Sequence, residues 1–280
     1  MTNSQCPCGL RYGEYKCDER KIMIDNVVFP YDARSKIGAD IELYCLPSAG
    51  GNAAMYNTWN ELVPDWLNVC PVEYPGHGSR LKEPLTNNPH MLISEITEAI
   101  INRGKSKIAL FGHSVGSILA LQVVKQLQLR NHAGAIQLIV LSGRPETSML
   151  LNRPRNYHLL PREEFLKVVA VYGGIPEELV DNQAVLDFFL PILRNDFQLN
   201  DRLMDTVPIS TTSPLMAMFG EDDTEIVSPE AVEKWSGYTT RWLGSYIFPG
   251  GHFYLNDKAT RHALLEKIVD ASQMVMTGNR

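Results

Sequence analysis

The 280-residue sequence has few cysteines, no strong excess of one charge and no long apolar run. No stretch reaches the roughly 18 consecutive apolar residues that a membrane-spanning helix needs. The net charge is −6, so the basic excess typical of nucleic-acid-binding proteins is missing. Residues 1–20 are polar and hold no apolar signal-peptide core, so we expect a protein of the cytoplasm.

Five cysteines, an odd number without an export signal, argue against a disulfide framework. Cys45 and Cys70 fall in predicted strands, where we expect small buried apolar groups. The other three lie near the start of the chain: Cys6, Cys8 and Cys17. They lack a fourth ligand and match no common zinc spacing. We therefore interpret residues 1–26 as a poorly ordered N-terminal extension rather than a metal site.

Apolar segments with strand and helix periodicity alternate from residue 41 onward. The predicted strands are Ile41–Leu46, Val69–Glu73, Ile108–Phe111, Ile136–Leu141, Leu215–Phe219 and Arg241–Phe248, and segment 22–29 is a candidate edge strand. The predicted helices between and after them cover 52–62, 91–101, 115–129, 229–235 and 257–276. This alternation predicts one α/β domain over residues 27–280, with helices on both faces of a mostly parallel sheet.

Residues 145–210 interrupt the alternation and read as a helical lid above the sheet edge. Helices are predicted over 162–172, just after Pro176, and over 183–203. Pro191 lies inside the last of these, where we expect a kink or break. Two consecutive aromatics, Phe188 and Phe189, cannot both face the same partner on a helix. We expect one of them to line an acyl pocket while the other packs the lid.

Ser114 lies between a strand and a helix in the pattern Gly112-His113-Ser114-Val115-Gly116. Such a turn lifts the serine hydroxyl above the sheet and aims it at the start of the next helix. There the N–H of Val115 has no intrahelical partner and is a candidate donor to an oxyanion. We therefore interpret Ser114 as a nucleophile.

Ser114, Asp223 and His252 follow strands in the chain order of an α/β-hydrolase triad. His252, on a Gly-Gly loop after the last strand, is the candidate base, and a carboxylate would fix its tautomer. Asp222 is the alternative acid; Asp223 is favoured because such acids commonly fall three residues after the strand-end glycine, here Gly220.

Other residues near these loops have predicted roles as well. The second oxyanion donor is expected from the loop after the first strand, at the N–H of Ala49. His113 is expected to point away from the site. His77, in a loop that borders the site, is not expected to be catalytic.

These segments resemble the type II thioesterases, the stand-alone editing enzymes of nonribosomal peptide and polyketide assembly lines. The resemblance runs from about residue 40 to 275 and is carried by motifs at 47–51, 74–80, 112–116, 190–197 and 250–253, with Phe165 and Gly173-Gly174 in the lid. The sequence departs from the family at Thr224, where proline often follows the acid, and residues before 27 have no counterpart.

The resemblance implies an α/β-hydrolase fold and hydrolysis of acyl or aminoacyl thioesters on the phosphopantetheine arms of carrier proteins. It implies no cofactor and no metal, and we expect a monomer with no nucleic-acid or membrane partner. The residues alone support ester or thioester hydrolysis. The alternatives are a fatty-acyl-releasing thioesterase, a small-molecule carboxylesterase of the same fold, and a non-catalytic binding protein.

Overall fold

The computed structural model describes residues 27–32, 35–150, 154–174, 182–206 and 210–278. In this part of the chain six strands form one parallel sheet in the order β2-β1-β3-β4-β5-β6. They are β1 (Ile41–Leu46), β2 (Leu67–Pro71), β3 (Ile108–His113), β4 (Ile136–Ser142), β5 (Leu215–Gly220) and β6 (Trp242–Phe248). The predicted parallel sheet is confirmed. The strand order reverses between β1 and β3, so a crevice opens at their carboxyl ends.

Six α-helices lie entirely within the described residues. They are α1 (Pro89–Arg103), α2 (Val115–Leu129), α3 (Arg162–Val171), α4 (Gln183–Leu203), α5 (Pro229–Glu233) and α6 (Lys258–Thr277). Local sequence sets the ends of α1: the Asn88 side chain caps its start, Pro89 occupies the first turn, and Gly104 ends it in the left-handed region at φ 66°. No helix in the described segments is both long and apolar enough to cross a membrane.

The core has two layers, one on each face of the sheet. On one face β-strand side chains pack against α1 and α2, with Leu119 and Val123 fully buried. On the other face Tyr56, Trp59 and Phe111 form an edge-to-face aromatic cluster, and α6 covers the same layer. Cys45 and Cys70 are buried free thiols, as predicted.

The predicted lid lies between β4 and β5 and contains α3 and α4. Its own small core is formed by Phe165, Val169 and Leu193. Of the kink or break predicted at Pro191, the break is wrong, because α4 runs unbroken from Gln183 to Leu203. The kink stays a prediction. Pro191 is exposed, so solvent can satisfy the carbonyl that loses its helical N–H partner. The short helix predicted after Pro176 and the N-terminal extension at residues 1–26 fall outside the described residues.

Two further segments form a different type of structure from the one predicted. Segment 52–62 forms two 3₁₀ turns, Ala53–Tyr56 and Trp59–Glu61, instead of one α-helix. Asparagine and threonine at 57–58 have low helix propensity and separate the turns. In the candidate edge strand 22–29, Val27 and Val28 are helical, and the residues before them lie outside the described part.

Candidate active site

Ser114 occupies a strained turn between β3 and α2. Its φ of 56° and ψ of −118° are rare for a residue with a side chain, and its N–H donates to the carbonyl of Ser142 at 2.8 Å. A Cβ at Gly112 would lie 2.1 Å from the Gly116 carbonyl oxygen, and one at Gly116 would lie 2.3 Å from that of Leu46. Both glycines are therefore required by the close approach of backbone.

The imidazole of His252 is held by Asp223. Nδ1 of His252 lies 2.9 Å from Oδ2 of Asp223, and both side chains are buried. Because the carboxylate accepts this hydrogen bond, Nδ1 carries the proton and Nε2 is left as the acceptor. The other carboxylate oxygen, Oδ1, accepts from the N–H of Glu225 at 2.9 Å. Asp222 is exposed, and its N–H donates to the carbonyl of Gly250.

Ser114 and His252 line the same cavity, at the carboxyl ends of the strands beside the topological switch. Residues of the lid cover the cavity, and its lining contains both apolar and polar side chains. It is lined by Ser48, Ala49, Ser114, Val115, Arg144, Val169, Tyr172, Gly174, Leu193, Phe197, Asn200, Glu225, His252 and Phe253. The structure thus brings together the predicted nucleophile, base and two backbone donors, with Asp223 directly behind His252.

Val115 is the first residue of α2, so its N–H lies at the positive end of the helix dipole. Ala49, on the loop after β1, lines the same cavity as Val115, and this loop approaches α2 closely at Gly116. Within the described residues, the N–H of Ala49 has no protein acceptor. This N–H is therefore open to a bound oxygen.

Phe188 and Phe189 have different surroundings on α4. Phe189 lines a second cavity that shares Ala49, Leu193 and other residues with the first. Phe188 lies outside both cavities and is about half exposed (49%), with its ring edge-on to Phe189 at 5.1 Å. Phe188 thus packs against Phe189 on the lid helix and is half exposed to solvent, and the role of Phe189 in an acyl pocket stays a prediction.

His113 does not line the cavity, yet it is not remote from it. Its ring is fully buried beneath His252, with the ring centroids 5.0 Å apart. Nδ1 of His113 and the hydroxyl of Ser142 are hydrogen bonded at 2.9 Å, and that hydroxyl also bonds Tyr254. Burial, with a smaller contribution from His252, holds the pKa of His113 well below its usual value. His113 is thus a neutral support for the His252 ring, a contact the sequence interpretation missed.

A buried His77–Asp196 pair was also missed. Asp196 Oδ2 accepts from the N–H of Gly50 at 2.7 Å and contacts Nε2 of His77 at 2.9 Å. Both residues stood in motifs already singled out, but they lie 119 positions apart. Sequence spacing therefore carried no signal that they meet.

Known thioesterases are similar to this chain over most of its length. A family model described as a thioesterase domain matches residues 41–271. Gramicidin S biosynthesis protein GrsT of Aneurinibacillus migulanus is 27% identical over 248 residues, which cover 88% of this chain and 94% of GrsT. The medium-chain S-acyl fatty acid synthase thioesterase of Homo sapiens is 27% identical over 244 residues, covering 86% of this chain and 91% of that protein.

Among solved structures, the RedJ thioesterase from the prodiginine biosynthetic pathway of Streptomyces coelicolor is 31% identical. The match covers 84% of this chain and 88% of RedJ, with a TM-score of 0.75. With this match the predicted α/β-hydrolase fold is confirmed. The chain therefore belongs to the thioesterase family, and within it to the type II thioesterases of nonribosomal peptide and polyketide pathways.

Proposed function

We propose that Ser114, His252 and Asp223 hydrolyse acyl and aminoacyl thioesters on the phosphopantetheine arms of carrier proteins. One observation carries the proposal: His252 Nδ1 is bound to buried Asp223 at 2.9 Å while His252 shares a cavity with Ser114. The acid orients the ring and stabilises the imidazolium that forms during the reaction. Asp223 takes this role rather than Asp222, which is exposed.

In the first half-reaction, Nε2 of His252 takes the hydroxyl proton of Ser114 as its oxygen attacks the thioester carbonyl carbon. The carbonyl oxygen becomes an oxyanion and accepts hydrogen bonds from the N–H groups of Ala49 and Val115. The intermediate collapses, the carbon–sulfur bond breaks, and the leaving sulfur receives the proton from His252. An acyl-serine and a free phosphopantetheine thiol result.

In the second half-reaction, His252 takes a proton from water, and the hydroxide oxygen attacks the acyl-serine carbonyl. Collapse of the second oxyanion returns the proton to Ser114 Oγ and releases the carboxylic acid. All proton transfers pass through one side chain. Neither a metal nor a cofactor enters the scheme.

The cavity lining supports a broad acyl specificity. Val169, Leu193 and Phe197 provide apolar walls, and Arg144, Asn200 and Glu225 provide polar ones. A mixed lining suits short acyl and aminoacyl groups of differing polarity. An apolar wall discriminates by only about 1–3 kcal/mol per methylene, so chain lengths are graded rather than excluded. Such breadth fits the editing of misprimed or stalled acyl chains. In this proposal the enzyme acts as a monomer in the cytoplasm.

The second candidate function is release of fatty acids, favoured by the similarity to the human medium-chain enzyme. A small-molecule carboxylesterase and a catalytically silent binder are the remaining alternatives. These four candidate functions differ in which substrate the protein hydrolyses and in whether Ser114 reacts at all.

The test is hydrolysis of carrier proteins loaded with acetyl, aminoacyl, hexanoyl and decanoyl groups, beside a p-nitrophenyl ester. The proposal expects the short acyl- and aminoacyl-carrier proteins to have the highest kcat/KM. Ser114→Ala should lower kcat by on the order of 10⁶ and abolish labelling by a fluorophosphonate probe. A preference for decanoyl carrier protein favours fatty-acid release, turnover confined to the p-nitrophenyl ester favours the carboxylesterase, and an unlabelled wild-type protein favours the binder.

A further inference from the structure

The residue next to the proposed oxyanion donor is bound by the lid. The N–H of Gly50 donates to Oδ2 of Asp196 at 2.7 Å, and Asp196 lies on α4, 146 residues away. Gly50 adopts the left-handed region at φ 69°, and a Cβ there would lie 2.6 Å from Leu193 of the same helix. The loop after β1 is thus shaped directly against α4.

This contact fixes the peptide plane between Ala49 and Gly50. The direction of the Ala49 N–H depends on the backbone torsions on either side of it, so a carboxylate on the next N–H restricts where that donor points. A donor must lie about 2.7–3.1 Å from the developing oxyanion to be effective. A small rotation of the loop would therefore weaken the hydrogen bond from the Ala49 N–H to the oxyanion, while the substrate still binds in the cavity.

His77 holds the carboxylate of Asp196 from the other side. Its Nε2 lies 2.9 Å from Asp196 Oδ2, and its Nδ1 lies 3.0 Å from the carbonyl oxygen of Pro75. A carbonyl oxygen can only accept, and an ionised carboxylate can only accept. Both ring nitrogens of His77 donate only when the ring is protonated, so this geometry favours an imidazolium facing a carboxylate, with side chains only 3% and 2% exposed.

The loop that carries His77 is itself rigidly held. Glu73, fully inside the protein, accepts hydrogen bonds from the N–H groups of Ala53 and Ser79. Arg80 donates to the Glu73 carbonyl and pairs with carboxylates on two further segments. The His77 ring is consequently presented at a fixed position to which α4 docks.

The charged surroundings of His77 favour its protonated form. Burial alone lowers the pKa of His77, but the hydrogen bond and charge of Asp196, the Pro75 carbonyl and the Glu73 carboxylate raise it above its usual value. The neighbouring Tyr74 phenol, edge-on to the ring, stays neutral because burial raises its pKa.

We infer that His77 and Asp196 are a positioning pair, which sets the Ala49 oxyanion donor only when the lid helix α4 is docked. Lid closure and completion of the oxyanion hole are then one event. The inference rests on the proposed function, because it assigns the Ala49 N–H to the oxyanion. Since Leu193 and Phe197 of α4 also line the cavity, an acyl group that packs against α4 favours the docked lid and with it the active loop.

The central test is Asp196→Asn, which removes the charge and leaves a side chain of the same shape. We expect kcat to fall about 30- to 100-fold on a hexanoyl-carrier protein, while KM changes less than about 3-fold. The loss is smaller than the roughly 10²–10³-fold cost of removing an oxyanion donor, because the Ala49 N–H is displaced rather than removed. The matched control is Asp201→Asn on the same helix, where Asp201 accepts from the N–H of Asn156 outside the cavity. That variant should keep the wild-type kcat.

His77→Gln keeps one neutral donor toward Asp196 and provides a second readout. Deprotonation of His77 removes one of its two donors, so wild-type kcat should fall as pH rises through the raised pKa of His77. That descending limb should be absent in His77→Gln, which should retain more activity than His77→Phe. An identical descending limb in wild type and His77→Gln overturns the inference.

The Asp196 and Ser114 variants distinguish a wrong inference about the His77–Asp196 pair from a wrong proposed function. If Asp196→Asn keeps the wild-type kcat and loses only thermal stability, the pair is structural and the inference is overturned, while Ser114 chemistry stands. If Ser114→Ala retains activity, the mechanism itself is wrong. Should Asp196→Asn fail to fold, the pH profile of His77→Gln decides the question alone.

Discussion

The ring of His113 packs beneath the ring of His252 with 5.0 Å between centroids, so the residue before the nucleophile supports the proposed base. The two rings are tilted by 44°, and the Ser142 hydroxyl fixes the lower one. A neutral ring at this place adds no positive charge beside the imidazolium that His252 becomes in the proposed mechanism.

The shifted pKa of His113 predicts a pH dependence of stability. Its pKa in the folded protein lies well below the unfolded value near 6.5, because burial disfavours the charged ring. The unfolded chain then binds more protons below pH 6.5, so the free energy of unfolding falls as pH drops below that value. His113→Asn, which keeps a polar partner for Ser142, should lose less stability than wild type between pH 6.5 and 5 in urea unfolding. Equal losses in both proteins would contradict this.

His77 predicts the opposite dependence. Its raised pKa means that its stabilising contribution is complete below about pH 6.5 and is lost as pH rises through the folded-state pKa. In the same urea experiment, wild type should lose stability relative to His77→Gln above pH 6.5. A constant difference between the two proteins from pH 6 to 9 would show that the pKa of His77 is the same in the folded and unfolded states, and would contradict the raised value.

The two neighbouring acids after β5 should differ sharply in their effect on catalysis. Asp223→Asn should lower kcat by roughly 10⁴, because an amide at this place favours the wrong His252 tautomer. Asp222→Asn is the matched control and should change kcat little, since Asp222 is exposed. Steady-state hydrolysis of an acyl-carrier protein measures both. A larger loss in Asp222→Asn would reassign the acid.

Alanine substitutions of the two neighbouring phenylalanines on α4 should distinguish a residue that affects acyl-chain specificity from one that lies at the surface. Phe189→Ala should change the ratio of kcat/KM between acetyl- and decanoyl-carrier protein, because Phe189 lines a second cavity that shares Ala49 and Leu193 with the cavity at Ser114. Phe188→Ala should leave that ratio and the melting temperature near wild type, because its ring is half exposed. An unchanged chain-length profile in Phe189→Ala would place the acyl chain elsewhere.

Gly116, two residues after the nucleophile, should tolerate no side chain. In Gly116→Ala the added Cβ would lie 2.3 Å from the Leu46 carbonyl, so backbone must move. We expect a loss of about 3 kcal/mol or more in the free energy of unfolding, at the upper end for overpacking. Gly134→Ala is the control, because a Cβ there meets open space. Equal urea midpoints for the two variants would refute the close approach of β1 and α2.

The sequence by itself determined the sheet and the location of the candidate site. The alternation of strands and helices predicted that the strands run parallel, and the pattern around Ser114 placed this residue at the end of β3. These features could be predicted because apolar periodicity, glycine and proline act within a few residues of their own position. The position of His252 after the last strand follows from the same local signals.

Only the tertiary structure decided which side chains meet. Asp222 and Asp223 share one turn, and their different directions result from packing against the His252 loop. His77 and Asp196 lie 119 residues apart and meet because α4 docks on the loops after β1 and β2. Contacts of this kind depend on how whole elements pack, and no local pattern encodes them. The fold therefore followed from the sequence, while the contact between α4 and the loops after β1 and β2 emerged only in three dimensions.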